Sequence, residues 1–129
     1  MHKKAINGVA GAPSAVGPYS QAVRSGQFLF ASGQVGLDPA TGNLVDGDVK
    51  TQARQAMENV GAVLKSQGLG FEHIVKALVF LVDIADFGAF NEVYGSYFKG
   101  DPPARSCVAV AALPKNARVE IEVIATYPS

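Results

Sequence analysis

Two adjoining segments decide the fold: DVKTQARQAMENVGAVLKSQG at residues 48–68 and IVKALVFLV at residues 74–82. In the first, Val49, Ala53, Met57, Val60 and Leu64 recur at spacings of three and four. Lys50, Gln52, Arg54, Glu58 and Lys65 fall off that stripe. This is the period of an amphipathic helix with one buried face. Asp48 is placed to cap its start and Gly68 to end it. The second segment is almost unbrokenly apolar and rich in β-branched side chains, which predicts a strand covered on at least one face.

Outward from this centre the period alternates again. Upstream, Gln27 to Val35 reads as a strand that breaks towards Gly33. Residues 5–18, rich in Ala, Gly and Pro, read as an extended lead-in, and Asp38 to Asn43 as a turn. Downstream, Asp86 is a cap for a second helix whose Phe87, Phe90, Tyr94, Tyr97 and Phe98 stand three and four apart. Ser106 to Leu113 reads as a strand, Leu113 to Asn116 as a turn region and Arg118 to Thr126 as a cleanly alternating strand. The order β-β-α-β-α-β-β, about five strands and two helices, predicts a single α+β domain over residues 1–129, with both helices on one face of a mixed sheet. The other face must meet water or another subunit. Val108, Val110, Val119, Ile121 and Val123 argue against water, since burying each valine fully is worth about 1.5–3 kcal/mol. A homo-oligomer is the expectation.

Composition narrows the function. Eleven Lys+Arg balance eleven Asp+Glu, so no bulk electrostatic attraction draws the chain to nucleic acid or to an anionic membrane. No run approaches the roughly 18 apolar residues of a membrane span. The basic start, Met1 to Ile6, is followed by Asn7 and Gly8, and so reads as a frayed tail rather than a signal peptide. A cytoplasmic location is expected, with a short organellar address as the alternative. Cys107 is the single cysteine, and the histidines are His2 and His73, a poor set for a zinc cluster. Phosphate-binding, dinucleotide-binding and serine-hydrolase motifs are all missing.

The remaining candidates are polar residues in apolar places. Glu120 sits mid-strand, where a carboxylate needs a partner or a task. Arg105 follows Asp101-Pro102-Pro103-Ala104, a stiffened approach that suits either a surface ion pair or bidentate capture of a carboxylate. Cys107 shares the side of Arg105 and reads as a buried structural thiol whose backbone N–H is free to serve a ligand. Tyr19, in the loop Gly17-Pro18-Tyr19-Ser20-Gln21, either packs in the core or lines a pocket. Ser32-Gly33 marks a bulge or a close approach of a ligand to the backbone. Asn91 lies off the aromatic stripe, where a solvated face is its default.

Taken together, these segments resemble the Rid/YjgF family, the reactive-intermediate deaminases, from about Ala12 to about Ala125. The resemblance rests on Gly17-Pro18-Tyr19-Ser20-Gln21-Ala22, Ala31-Ser32-Gly33-Gln34-Val35, Gln55-Ala56-Met57-Glu58-Asn59, Asp86-Phe87 with Asn91, Pro103-Ala104-Arg105-Ser106, and Leu113-Pro114-Lys115 followed by Glu120-Ile121-Glu122. The RidA branch is most similar, and its eukaryotic members most of all. The resemblance implies a chorismate-mutase-like fold, a homotrimer with clefts between subunits, and hydrolysis of 2-imino acids to 2-oxo acids and ammonia without a cofactor or metal. It implies that Arg105 clamps the substrate carboxylate and that Glu120 holds or activates the attacking water. Tyr19 and Ser32 would line the cleft, Gly33 and Cys107 would offer backbone N–H groups, and Asn91 would stand at the rim. Pro102, where many relatives carry an aromatic, and the short 99–102 segment bear on the shape of that rim. Two other functions compete: an RNA-cleaving translation inhibitor, and a non-catalytic small-ligand sensor or holdase.

Overall fold

The computed structural model describes residues 2–129; Met1, part of the basic start, lies outside the described residues. The chain runs β1 (Lys4–Ile6), β2 (Ala22–Ser25), β3 (Phe28–Gln34), α1 (Val49–Ser66), β4 (Ile74–Leu81), α2 (Phe87–Gly95), β5 (Ala104–Ala109) and β6 (Val119–Thr126). All six strands form one sheet in the order β1-β2-β3-β6-β4-β5. Neighbours are antiparallel except β4 and β5, which are joined through α2. A parallel pair needs such a crossover, because a tight turn cannot bring the chain back in the same direction.

The helix read from residues 48–68 forms as its period requires. Asp48 Oδ1 accepts from Thr51 N–H at 3.0 Å, and Gly68 terminates the helix at φ 71°. Val49, Ala53, Met57, Val60 and Leu64 are all buried. They pack on β6 and β3, where Val119, Ile121, Val123 and Ala125 point towards α1 and are also buried. The fold is therefore α+β, two helices on one face of a mixed sheet.

Several sequence expectations shift. Part of the basic start is no frayed tail: Lys4–Ile6 pairs with Ala22–Arg24 as an edge strand. A further short strand, β2, precedes β3 across the turn at Gly26, whose φ of 59° suits glycine there. The strand expected at Ser106–Leu113 begins at Ala104 and ends at Ala109, because it pairs residue for residue with Lys76–Leu81 and stops where β4 stops. Asp86 makes no side-chain cap for α2; its carboxylate pairs with Arg118 at 3.1 Å. Val119, Ile121 and Val123 lie under α1, so they cannot argue for a covered outer face. That face instead exposes Phe28, Phe30 and Val108, each 45–47% accessible.

Two buried polar side chains fasten α1 to the loops of the outer layer. Asn59, fully buried, donates to Val35 O at 3.1 Å and Leu37 O at 2.9 Å. Gln52, expected on the polar side, is buried and accepts from Arg118 N–H at 2.8 Å. Gly36 lies against α1 so closely that a Cβ would come within 2.8 Å of Gln52 O. These ties fix the segment 34–37, which forms one wall of the site.

Candidate functional site

The predicted site residues divide between the two faces of the sheet. Glu120 is paired with Phe80 on β4 and points away from the helices, opposite in sense to Val119 and Ile121. Arg105 is paired with Ala77 and Cys107 with Val79, both on the helix side. Cys107 therefore does share the side of Arg105. Arg105 and Glu120 line two different cavities, neither of which includes both. One chain therefore carries two separate candidate sites.

The first is a cleft of about 220 Å³ lined by Tyr19, Gly33, Val35, Lys115 and Glu120 among others. Gly33 sits at a register break between Ala31 and Gln34 in β3. A Cβ on it would lie 2.2 Å from Glu120 Oε2, so only glycine lets the carboxylate rest against this backbone. The bulge and the close approach, both read for Gly33, are one feature. Burial, and secondarily the charge of Glu122, push the Glu120 carboxyl above its ordinary range. Lys115 and Asn116, at φ 61° and 59°, turn the chain at the mouth of this cleft. A left-handed lysine costs about 1 kcal/mol.

Tyr19 is about half exposed, and its hydroxyl accepts weakly from Val16 N–H at 3.4 Å. It is pocket-lining rather than core. Ser32 ties two segments together beside this cleft. Its hydroxyl donates to Ser20 O at 2.6 Å and its N–H to Gln21 O at 3.0 Å, tying the Tyr19 loop to β3. Gln21 completes that anchor from a buried position, donating to Pro13 O at 2.7 Å and accepting from Val9 N–H at 3.0 Å. Hydropathy had given no sign of Gln21, since a buried amide looks like any loop amide in sequence.

The second is an open pocket of about 470 Å³ lined by Asn91, Tyr94, Phe98, Pro102, Pro103 and Arg105 among others. Arg105 Nη1 donates to Asn91 Oδ1 at 2.8 Å. Among the described residues no carboxylate pairs with Arg105. Asn91, read as solvated, is half-buried and belongs to the working face of α2. Phe87, Phe90, Asn91 and Tyr94 stand at i, i+3, i+4 and i+7, which is one side of a helix. The Cys107 thiol is pushed up by burial, an effect the Arg105 charge only partly offsets, so it stays protonated near neutrality. A protonated thiol is a weak nucleophile.

Chemically, one site offers a base with a raised pKa beside a bare backbone, and the other a cation whose remaining N–H groups are free. Among the described residues no three His, Cys, Asp or Glu side chains cluster as metal ligands. Among the described residues no helix is long and apolar enough to cross a membrane.

Comparison with known proteins places these features in context. A family model described as Endoribonuclease L-PSP matches residues 9–127. The 2-iminobutanoate/2-iminopropanoate deaminase of Mus musculus is 54% identical over 114 residues, covering 88% of this chain and 84% of that protein. Among solved structures, YyfA of Yersinia pestis, described as a member of the conserved Rid protein family, superimposes with TM-score 0.92 at 48% identity over 96% of this chain and 98% of its own. TdcF of E. coli, solved with bound serine, superimposes with TM-score 0.91 at 44% identity over 97% of this chain and 100% of its own.

Proposed function

The chain belongs to the Rid family, and on that premise we propose that it hydrolyses reactive 2-imino acids, such as 2-iminobutanoate and 2-iminopropanoate, to 2-oxo acids and ammonia. The observation that carries this reading is Arg105: a guanidinium fixed by Asn91, lacking a carboxylate partner among the described residues, and facing an open pocket. Its planar fork matches a substrate carboxylate. The deaminase name of the mouse relative and the serine held by TdcF point to small amino-acid-like ligands.

The reaction also needs Glu120, which lies on the opposite face of the same sheet. The site is therefore completed by a neighbouring copy in a homotrimer, one copy contributing Arg105 and Asn91 and the next contributing Glu120, Gly33 and Tyr19. The exposed Phe28, Phe30 and Val108 form the surface this assembly covers. Arg105 holds the carboxylate and so fixes C2 of the imine. Glu120 takes a proton from a water as its oxygen adds to C2. In the resulting tetrahedral carbinolamine the proton passes from Glu120 to the nitrogen, the C–N bond breaks as the hydroxyl oxygen forms the new C=O and gives its own proton to Glu120, and ammonia and a 2-oxo acid are released. One water is consumed and no electrons are exchanged. A protonated imine is electrophilic without further activation, so positioning and proton transfer suffice.

The family model's description names RNA cleavage. The eleven charges of each sign give no basic stripe to follow a phosphate backbone. His73 Nδ1 is occupied by Gly70 N–H at 2.9 Å. A non-catalytic sensor using the same clefts would bind 2-oxo acids without turnover. The discriminating experiment supplies imine with a threonine dehydratase and follows 2-oxobutanoate before spontaneous hydrolysis is complete. Added protein is expected to accelerate its appearance. An unchanged rate contradicts the proposal.

A further inference from the structure

Arg105 is held in an unusual way for a buried-edge arginine. Its guanidinium carbon lies 4.9 Å from the ring centroid of Tyr94, 5.4 Å from that of Phe87 and 5.9 Å from that of Phe90. All three fall within the roughly 6 Å at which a cation is attracted to an aromatic face. The three rings and the Asn91 amide come from one side of α2. Phe90 and Tyr94 are buried, whereas Phe87 is 39% exposed, at odds with a purely core-packing role. An aspartate or glutamate at this place would hold the arginine equally firmly, but it would cancel the charge and occupy the fork. Aromatic faces and a neutral amide hold the cation and leave both available.

We infer that Phe87 and Tyr94 are positioning residues, whose ring faces aim the Arg105 guanidinium at an incoming carboxylate without neutralising it. This rests on the carboxylate-binding role given to Arg105 above. It concerns residues that touch the arginine and not the reacting atoms. The rings act on binding, so they govern KM and leave kcat alone.

Phe87 is the position to test, because it is exposed enough to change without opening the core. Phe87→Leu keeps an apolar side chain of similar size and removes the π face. Phe87→Trp enlarges the side chain and strengthens the face, since Trp is the best cation-binding ring. The readouts are KM and kcat for the imine, and the dissociation constant of 2-oxobutanoate. Phe87→Leu is expected to raise KM and the dissociation constant by up to about 2- to 5-fold with kcat unchanged, the ceiling set by a cation–π contact of about 0.5–1 kcal/mol. Phe87→Trp is expected to match or tighten wild-type binding. A role in packing alone gives the opposite order, with Leu tolerated and Trp impaired, and that order overturns the inference, as does failure of the unmodified protein to bind 2-oxobutanoate. If the expected order appears in binding while no imine is turned over, the positioning role stands and the hydrolytic reading falls.

Discussion

Arg105→Ala is expected to lower kcat/KM for 2-iminobutanoate by about 100-fold or more, the cost of removing one partner of a desolvated, charge-assisted pair. The melting temperature should move little. Arg105 is half-exposed and makes one hydrogen bond, to a neutral amide, so its loss leaves no buried charge behind. Activity falling without unfolding is the signature of a binding group. Arg105→Lys should recover only a small part of the loss. An ammonium is a point charge without the fork, and cannot hold both carboxylate oxygens in the plane of the guanidinium. Steady-state kinetics alongside thermal denaturation check both statements. Full activity in Arg105→Ala would remove the basis of the assignment.

Glu120→Gln is expected to lower kcat by about 100-fold, the lower end of what a positioned general base contributes. It should also raise the melting temperature at neutral pH. The sign follows from the upward push on this carboxyl by burial and by Glu122. The folded protein holds the Glu120 proton more tightly than the unfolded chain does. Ionising it therefore costs stability, in full above the folded pKa, and that cost disappears as pH falls below the unfolded value. A neutral amide of the same shape escapes the cost at every pH. The kcat of the unmodified protein should fall as pH drops through a value above the ordinary glutamate range, since only the carboxylate accepts a proton. A pH–rate profile and a pair of melting curves test this together. A variant that is both less active and less stable at neutral pH would speak for a structural role instead.

The helix period at 48–68 was legible because hydrophobic spacing is a local property, and the same holds for alternation in β6. Pairing is not local. Arg105 and Glu120 are both strand residues, and nothing in the sequence says that one is registered with Ala77 and the other with Phe80. Their separation onto opposite faces follows from that register alone. Buried amides were hidden for another reason. Gln52, Asn59 and Gln21 satisfy backbone groups that only the folded chain brings near, while hydropathy counts them as polar surface. Asn91 was closer to reach: counted from Phe87 it stands at i+4, on the ring-bearing side of α2, but an amide among aromatics is easily assigned to solvent. The resemblance named residues that no local argument could join, because in the chain they open on opposite faces of the sheet.

The central claim is that the Arg105 half-site of one copy works with the Glu120 half-site of another. Subunit complementation measures this directly. Arg105→Ala and Glu120→Gln proteins, each nearly inactive, are unfolded, mixed in equal amounts and refolded together. Random assembly places an intact Arg105 opposite an intact Glu120 at about one site in four, so the mixture should recover about a quarter of wild-type activity. If the mixture is no more active than the two variants refolded separately, the site is not shared between copies and the account is wrong.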